Sequence, residues 1–210
     1  MDEKDCTNSE HGTDLEHLCS KAAGRPRSES ARQAILVAAD HLLARDGCGG
    51  VTMEAIAVTA GVSKATLYRW WPNKSAVLME AFVAANGACC AGPDTGDVGA
   101  DLLRRMRGMT AAFAGAMGVT ISGMIAEALA DPEAAAVFRA QYLAPRWAEA
   151  VDALTRAQKR GQIRAGADLE VAVDALYGAV YFRLLTGHGP LIPEFADALV
   201  ETLLSGLLEK

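Results

Sequence analysis

Histidine is scarce and cysteine unpatterned in this chain of 210 residues. Only His41 and His188 lie beyond the first 20 residues, and neither has a serine or cysteine nucleophile with an orienting acid beside it. No phosphate-binding glycine loop and no dinucleotide fingerprint occurs. The sequence therefore reads as that of a protein without catalytic machinery, resident metal or cofactor. Cys6, Cys19, Cys48, Cys89 and Cys90 are odd in number and irregularly spaced, which excludes a secreted disulfide framework. No alternating apolar–polar run reads as a strand, and no internal repeat is visible. Long apolar runs are missing too. Gly108 to Ala126 carries no charge, but four glycines, Thr110, Thr120 and Ser122 dilute it below the density of a membrane span. The opening MDEKDCTNSEHGTDLEHL is acidic and polar, the opposite of a signal or transit peptide, so a reducing cytoplasm is the expected compartment.

What is present is apolar residue at 51%, enough to build a core and to exclude a mostly disordered chain. The formal net charge of −6 hides a pattern. Residues 1–20 hold one lysine against six acids, residues 21–75 eight basic residues against four acids, and residues 76–210 eleven against sixteen. A basic block between acidic ones points to one module that meets phosphate while the rest does something else.

The fold class read from this pattern is all-α, in four blocks. Residues 1–24 read as a disordered tail, 25–85 as a unit of short helices, 86–100 (rich in glycine and turn formers) as a linker, and 101–210 as a second helical domain. Ser30 and Gln33 have capping-box spacing ahead of Ile35, Ala39, Leu42 and Leu43, which share a face. Thr52, Ser63 and Asn73 are placed to cap three further helices, with Gly61 breaking the first from the second and Pro72 ending the second. Downstream, Asp131-Pro132-Glu133 opens a long helix that Pro145 should kink or split, Asp168 caps the next, and Pro193 opens the last.

Residues 52–70 have the layout of a helix-turn-helix. A helix fits the major groove and presents its first residues to base edges, while the preceding helix crosses the backbone. The second helix of the pair supplies Ser63, Lys64, Thr66, Tyr68 and Arg69 around an inward Leu67, with donors and a cation but no carboxylate.

The stretch VTMEAIAVTAGVSKATLYRWWPNKSAVLMEAF, preceded by GRPR and one helix, resembles the DNA-binding domain of TetR-family bacterial transcriptional regulators. Its specific core is AGVSKATLYRWWPNK. The resemblance implies an N-terminal three-helix DNA-binding bundle, a C-terminal helical ligand-binding and dimerisation domain, and a homodimer that binds a palindromic operator, usually as a repressor. It also implies roles. Thr52 resembles a phosphate-contacting cap, although a plain helix cap looks the same. Lys64 is a candidate for a base edge or phosphate, Ala65 and Thr66 for a thymine methyl, Tyr68 and Lys74 for phosphate. Arg69 fits guanine or phosphate equally, and Trp70 stands where DNA contact is open to it. Trp71 occupies the family's buried aromatic position. Arg25 and Arg27, beside Gly24 and Pro26, read as an arm for an adjacent minor groove.

The helix from Asp168 to about Thr186 is apolar around nearly its whole circumference, so it must bury two faces. A second copy of the chain is the simplest second surface, with the last helix, 193–208, beside it in a four-helix interface. Met106, Met109, Phe113, Met117, Met124, Phe138, Tyr142, Trp147 and Tyr177 are the candidates to line a ligand cavity, although methionine at helical spacing is also ordinary core. Few charges stand near them (Arg104, Arg105, Glu127, Arg139), so the expected ligand is apolar or weakly polar. Three alternatives remain open: a metal sensor using Cys6, His11, His17 and Cys19, a redox switch at Cys89 and Cys90, and a DNA-binding protein without ligand control. No membrane partner is expected.

Overall fold

The computed structural model describes residues 25–87 and 94–207; side chains are described from residue 29 and up to residue 206. The tail 1–24, the cysteine pair Cys89–Cys90 and the proposed metal ligands Cys6, His11, His17 and Cys19 lie outside the described residues. Helix α1 spans Arg25–Gly50, α2 Met53–Ala60, α3 Lys64–Trp70, α4 Lys74–Asn86, α5 Val98–Phe113, α6 Ala116–Ala130 and α7 Pro132–Phe138. A π-turn over Arg139–Leu143 leads into α8, Ala144–Lys159, followed by α9, Leu169–Thr186, and α10, Pro193–Leu207. Among the described residues there is no strand, as the missing alternation required.

Local chemistry sets most helix starts. Thr52, Ser63 and Asn73 are extended and accept the N–H groups of Ala55, Thr66 and Ala76. Asp131 and Asp168 do the same for α7 and α9. Each satisfies a donor that the first helical turn leaves unpaired. The Ser30–Gln33 capping box does not form. Helix α1 starts five residues earlier, because Pro26 falls in the first turn, where its missing N–H is not needed. The same helix takes in Arg25 and Arg27 instead of leaving them in an arm, and their side chains lie outside the described residues. Within the segment read as a linker, α5 already opens at Val98, where Asp97 accepts from the Ala100 N–H at 3.0 Å. Pro145 acts one turn upstream. The chain widens into the π-turn, whose closing bond runs from the Ala144 N–H to the Arg139 carbonyl, and then resumes as α8.

One continuous core runs through the protein. Ile35, Ala39, Leu42 and Leu43 of α1 are buried together with Ile56, Leu67 and Trp71. Helix α4 is the shared wall, with Val77, Leu78 and Phe82 all buried. It packs on α1 on one side and on α7 and the π-turn on the other. The chargeless stretch from Gly108 is broken: α5 and α6 meet at 83°, and no single described helix is long and apolar enough to cross a membrane. Gly118 sits at that corner because nothing larger fits. A Cβ there would lie 2.0 Å from the Phe113 carbonyl oxygen and 3.0 Å from Leu184.

Candidate nucleic-acid interface and a second cleft

Helices α2 and α3 are joined by Gly61, whose φ of +66° is the left-handed conformation that glycine adopts without a Cβ penalty. Space is not the constraint, since a Cβ there would meet nothing within 4 Å. The turn is sealed by Gly61 N–H to the Val58 carbonyl and by Val62 N–H to the Ala57 carbonyl at 3.0 Å. Ile56 and Ala57 from α2 and Leu67 from α3 plug the pair into the core. Leu67 is the one buried residue of α3, so Lys64, Ala65, Thr66, Tyr68, Arg69 and Trp70 all reach the surface, Tyr68 with half its area exposed.

That surface is electrostatically organised. Lys64 donates to Glu54 across the α2–α3 gap, and this ammonium holds the Glu54 carboxyl below its ordinary value. Ser63 Oγ accepts from the Thr66 N–H and exchanges a 3.0 Å hydrogen bond with the Thr66 hydroxyl. Arg69 lies 6.0 Å from the Trp70 ring centre, and Arg32 of α1 stands 5.9 Å from both Trp70 and Trp71. Trp71 is buried and its Nε1 donates to Glu80 at 2.7 Å, while Glu80 also pairs with Arg32. The tryptophan pair is thus one anchor and one exposed ring at the end of α3.

Lys74 is turned away from this group. Its Nζ donates to the Cys48 carbonyl at 2.9 Å and pairs with Glu127 of α6 at 2.9 Å. Next to it, Asn73 Nδ2 donates to Glu133 of α7 at 2.6 Å. The start of α4 is therefore clamped to the second domain. Burial pushes the neighbouring Cys48 thiol up to about 12, with the Glu127 charge acting in the same direction. Sequence reading missed Glu54, Glu80 and Arg32, whose bonds Lys64–Glu54, Trp71–Glu80 and Arg32–Glu80 span 10, 9 and 48 positions, beyond any helical spacing.

The nine residues expected around a ligand separate into groups. Met106, Met109 and Phe113 are fully packed core. Met117 is half-buried against that core. Met124 and Phe138 border only a crevice of about 10 Å³ beside Cys48 and Glu127. Trp147 and Tyr177 line an open cleft of about 460 Å³ between the π-turn, α8 and α9. Tyr142 is buried beneath it, its hydroxyl 3.2 Å from that of Tyr181. The cleft also holds two charges the sequence did not single out, Arg146 and Asp174, beside the anticipated Arg139. The other anticipated charges are committed elsewhere: Arg104 to Asp101, Arg105 to Glu149 and Tyr177, Glu127 to Lys74.

On the outer side of α9, Val171, Ala175, Gly178, Phe182 and Leu185 form an exposed stripe, with Val171 60%, Phe182 62% and Leu185 48% exposed. Its inner side buries Ala172, Val173, Leu176 and Val180.

Comparison with known proteins gives consistent matches over both halves. Residues 35–81 match the family model described as bacterial regulatory proteins, tetR family, and residues 92–203 that of the tetracyclin repressor-like C-terminal domain. The chain is 33% identical to the HTH-type transcriptional regulator YdeS of Bacillus subtilis (strain 168), over 88% of this chain and 93% of the relative. It is 32% identical to the DNA-binding transcriptional repressor TetR of Mycobacteroides abscessus, over 87% and 96%. Among solved structures, the TetR family transcription regulator SCO0332 superposes with a TM-score of 0.76 at 40% identity, covering 86% of this chain and 100% of that one.

Proposed function

Because the chain belongs to the TetR family of bacterial transcriptional regulators, we propose that it binds a palindromic operator as a homodimer, represses the adjacent genes, and is released by a small molecule that enters its second domain. The observation that carries the DNA half of this reading is the make-up of α3. Leu67 is its one buried residue, it carries no carboxylate, and it offers Lys64, Tyr68 and Arg69 outward. Such a helix suits the major groove, with Thr52 at the start of α2 placed for a phosphate. A protein with this role works in the cytoplasm, where its operator is.

Support for a dimer comes from the exposed apolar stripe of α9. Its residues are spaced four and three apart, the rhythm of a helix that packs along another. Support for a small-molecule partner comes from the cleft under Trp147 and Tyr177, which reaches toward the same helix. The clamp of Lys74 and Asn73 on α6 and α7 supplies a mechanical route from the second domain to the reading helices. Lys74 is also the residue whose phosphate contact would compete with Glu127.

The test is capture of the preferred duplex from genomic fragments at fixed salt, followed by titration of the variant Lys64→Ala/Tyr68→Ala. Two contacts of about 1–3 kcal/mol each predict a loss of roughly thirtyfold or more on the captured site. Unchanged affinity in a folded double variant overturns the reading, as does indifference to sequence in the capture step.

A further inference from the structure

The chemistry of the cleft between the π-turn, α8 and α9 narrows what can occupy it. Its body is aromatic and aliphatic: Trp147, Tyr177 and Tyr181, with Leu143 at the mouth. Its charged groups are Arg139, Arg146 and Asp174. Arg139 and Asp174 are exposed, so solvent screens both. Arg146 is the partly buried one. Its guanidinium stands over the Tyr142 ring, Cζ 4.0 Å from the ring centre, and Nη1 donates to the Tyr142 carbonyl at 3.2 Å. Its Nε is buried with no acceptor. Among the described residues no carboxylate lies within ion-pair distance of Arg146; Glu149 and Glu127 are taken by Arg105 and Lys74.

A guanidinium held over an aromatic face, pinned by one nitrogen and left without a counter-charge, is preorganised to donate to an anion through its outer nitrogens. The partner it fits is an oxyanion carried on an apolar body.

We infer that this cleft takes an organic anion, a carboxylate or sulfonate attached to an aromatic or otherwise apolar body, with Arg146 as its counter-charge. The expectation of an apolar or weakly polar ligand followed from counting charges along the sequence; Arg146 changes it because the π-turn and Pro145 bring that residue to the cleft. The inference rests on the reading of the second domain as the seat of a small-molecule partner, and the two can fail separately.

Two probes of the same shape isolate the charge: 8-anilinonaphthalene-1-sulfonate and its uncharged counterpart N-phenyl-1-naphthylamine, each titrated by fluorescence against the full-length protein without DNA. The sulfonate should bind at least roughly tenfold more tightly. Arg146→Gln should abolish that preference by weakening the sulfonate alone, while Asp174→Asn leaves it in place. Equal affinity of the two probes for the unaltered protein overturns the inference, whether or not Arg146→Gln folds. So does a preference that survives Arg146→Gln in a variant with unchanged circular dichroism. Arg146-dependent binding of the sulfonate that leaves the operator complex intact supports the anion site and overturns the effector reading of the cleft.

Discussion

At the residue scale the reading helix is governed by a pair that no helical spacing announces. Lys64, the first residue of α3, rests on Glu54 of α2 in the unbound protein. In the proposed complex DNA must take Lys64 from that carboxylate, and Glu54 would then meet the phosphates that draw Lys64 away. Glu54→Gln should therefore raise operator affinity, by roughly threefold, the scale of one exposed ion pair. It should also steepen the salt dependence, because Lys64 enters the complex uncompensated. Fluorescence anisotropy at several salt concentrations measures both; weaker binding by Glu54→Gln would show that the pair orients Lys64 for DNA instead of withholding it. Asp94 makes a second residue-scale case. Arg156 and Arg160 donate to it and hold its carboxyl at about 2, below an ordinary value near 3.8. A lowered folded pKa means that the stability it contributes is complete above about pH 4 and is lost as pH falls toward 2. Asp94→Asn should flatten that part of the acid-unfolding curve, followed by circular dichroism, by lowering stability above about pH 4 while leaving it unchanged near pH 2.

At the element scale, the corner between α5 and α6 depends on one hydrogen atom. Gly118→Ala must push a methyl group into the Phe113 carbonyl and Leu184, so the corner has to open. A loss of about 1–3 kcal/mol is expected in urea denaturation, the scale of an overpacked core. Gly61→Ala is the informative contrast: it meets no neighbour, and its cost of about 1–2 kcal/mol comes from the left-handed backbone alone. These elements also show what was legible in the sequence. A cap and its helix are three residues apart, so Thr52, Ser63, Asn73, Asp131 and Asp168 could be read directly, and each accepts the bond expected of it. The fold class and the helix-turn-helix followed from that punctuation. Pro145 announced a break but not its form, because whether a helix kinks, stops or widens is decided by what packs against it. The cleft and Arg146's place in it follow from that widening, and the clamp from Lys74 to Glu127 joins residues 53 positions apart. Such pairings leave no local trace.

At the scale of the whole molecule, α9 has two apolar sides and the described residues cover one of them. Ala172, Val173, Leu176 and Val180 close on the core, with Ala196 and Val200 of α10 buried nearby. Helix α10 is tied to α5 by the two-pronged Arg107–Asp197 pair, both bonds 2.6 Å long, and packs beside α9. On the outer face of α9 Phe182 and Leu185 are too exposed to be core and too apolar to be solvated surface. Burial stabilises each such side chain by roughly 1.5–3 kcal/mol, and a twofold axis repeats every contact. Phe182→Glu/Leu185→Glu should therefore turn the proposed dimer into a monomer with unchanged helix content, read by light scattering behind size exclusion. Operator affinity should fall with it, because a single α3 reads only half a palindrome and loses the second half-site's contribution. The monomer's affinity for an isolated half-site should stay as it was, since α3 and its supports lie in the other domain. A variant that stays dimeric would move the interface off this face, and one that became monomeric yet held the full palindrome as tightly would remove symmetry from the account of how this regulator finds its site.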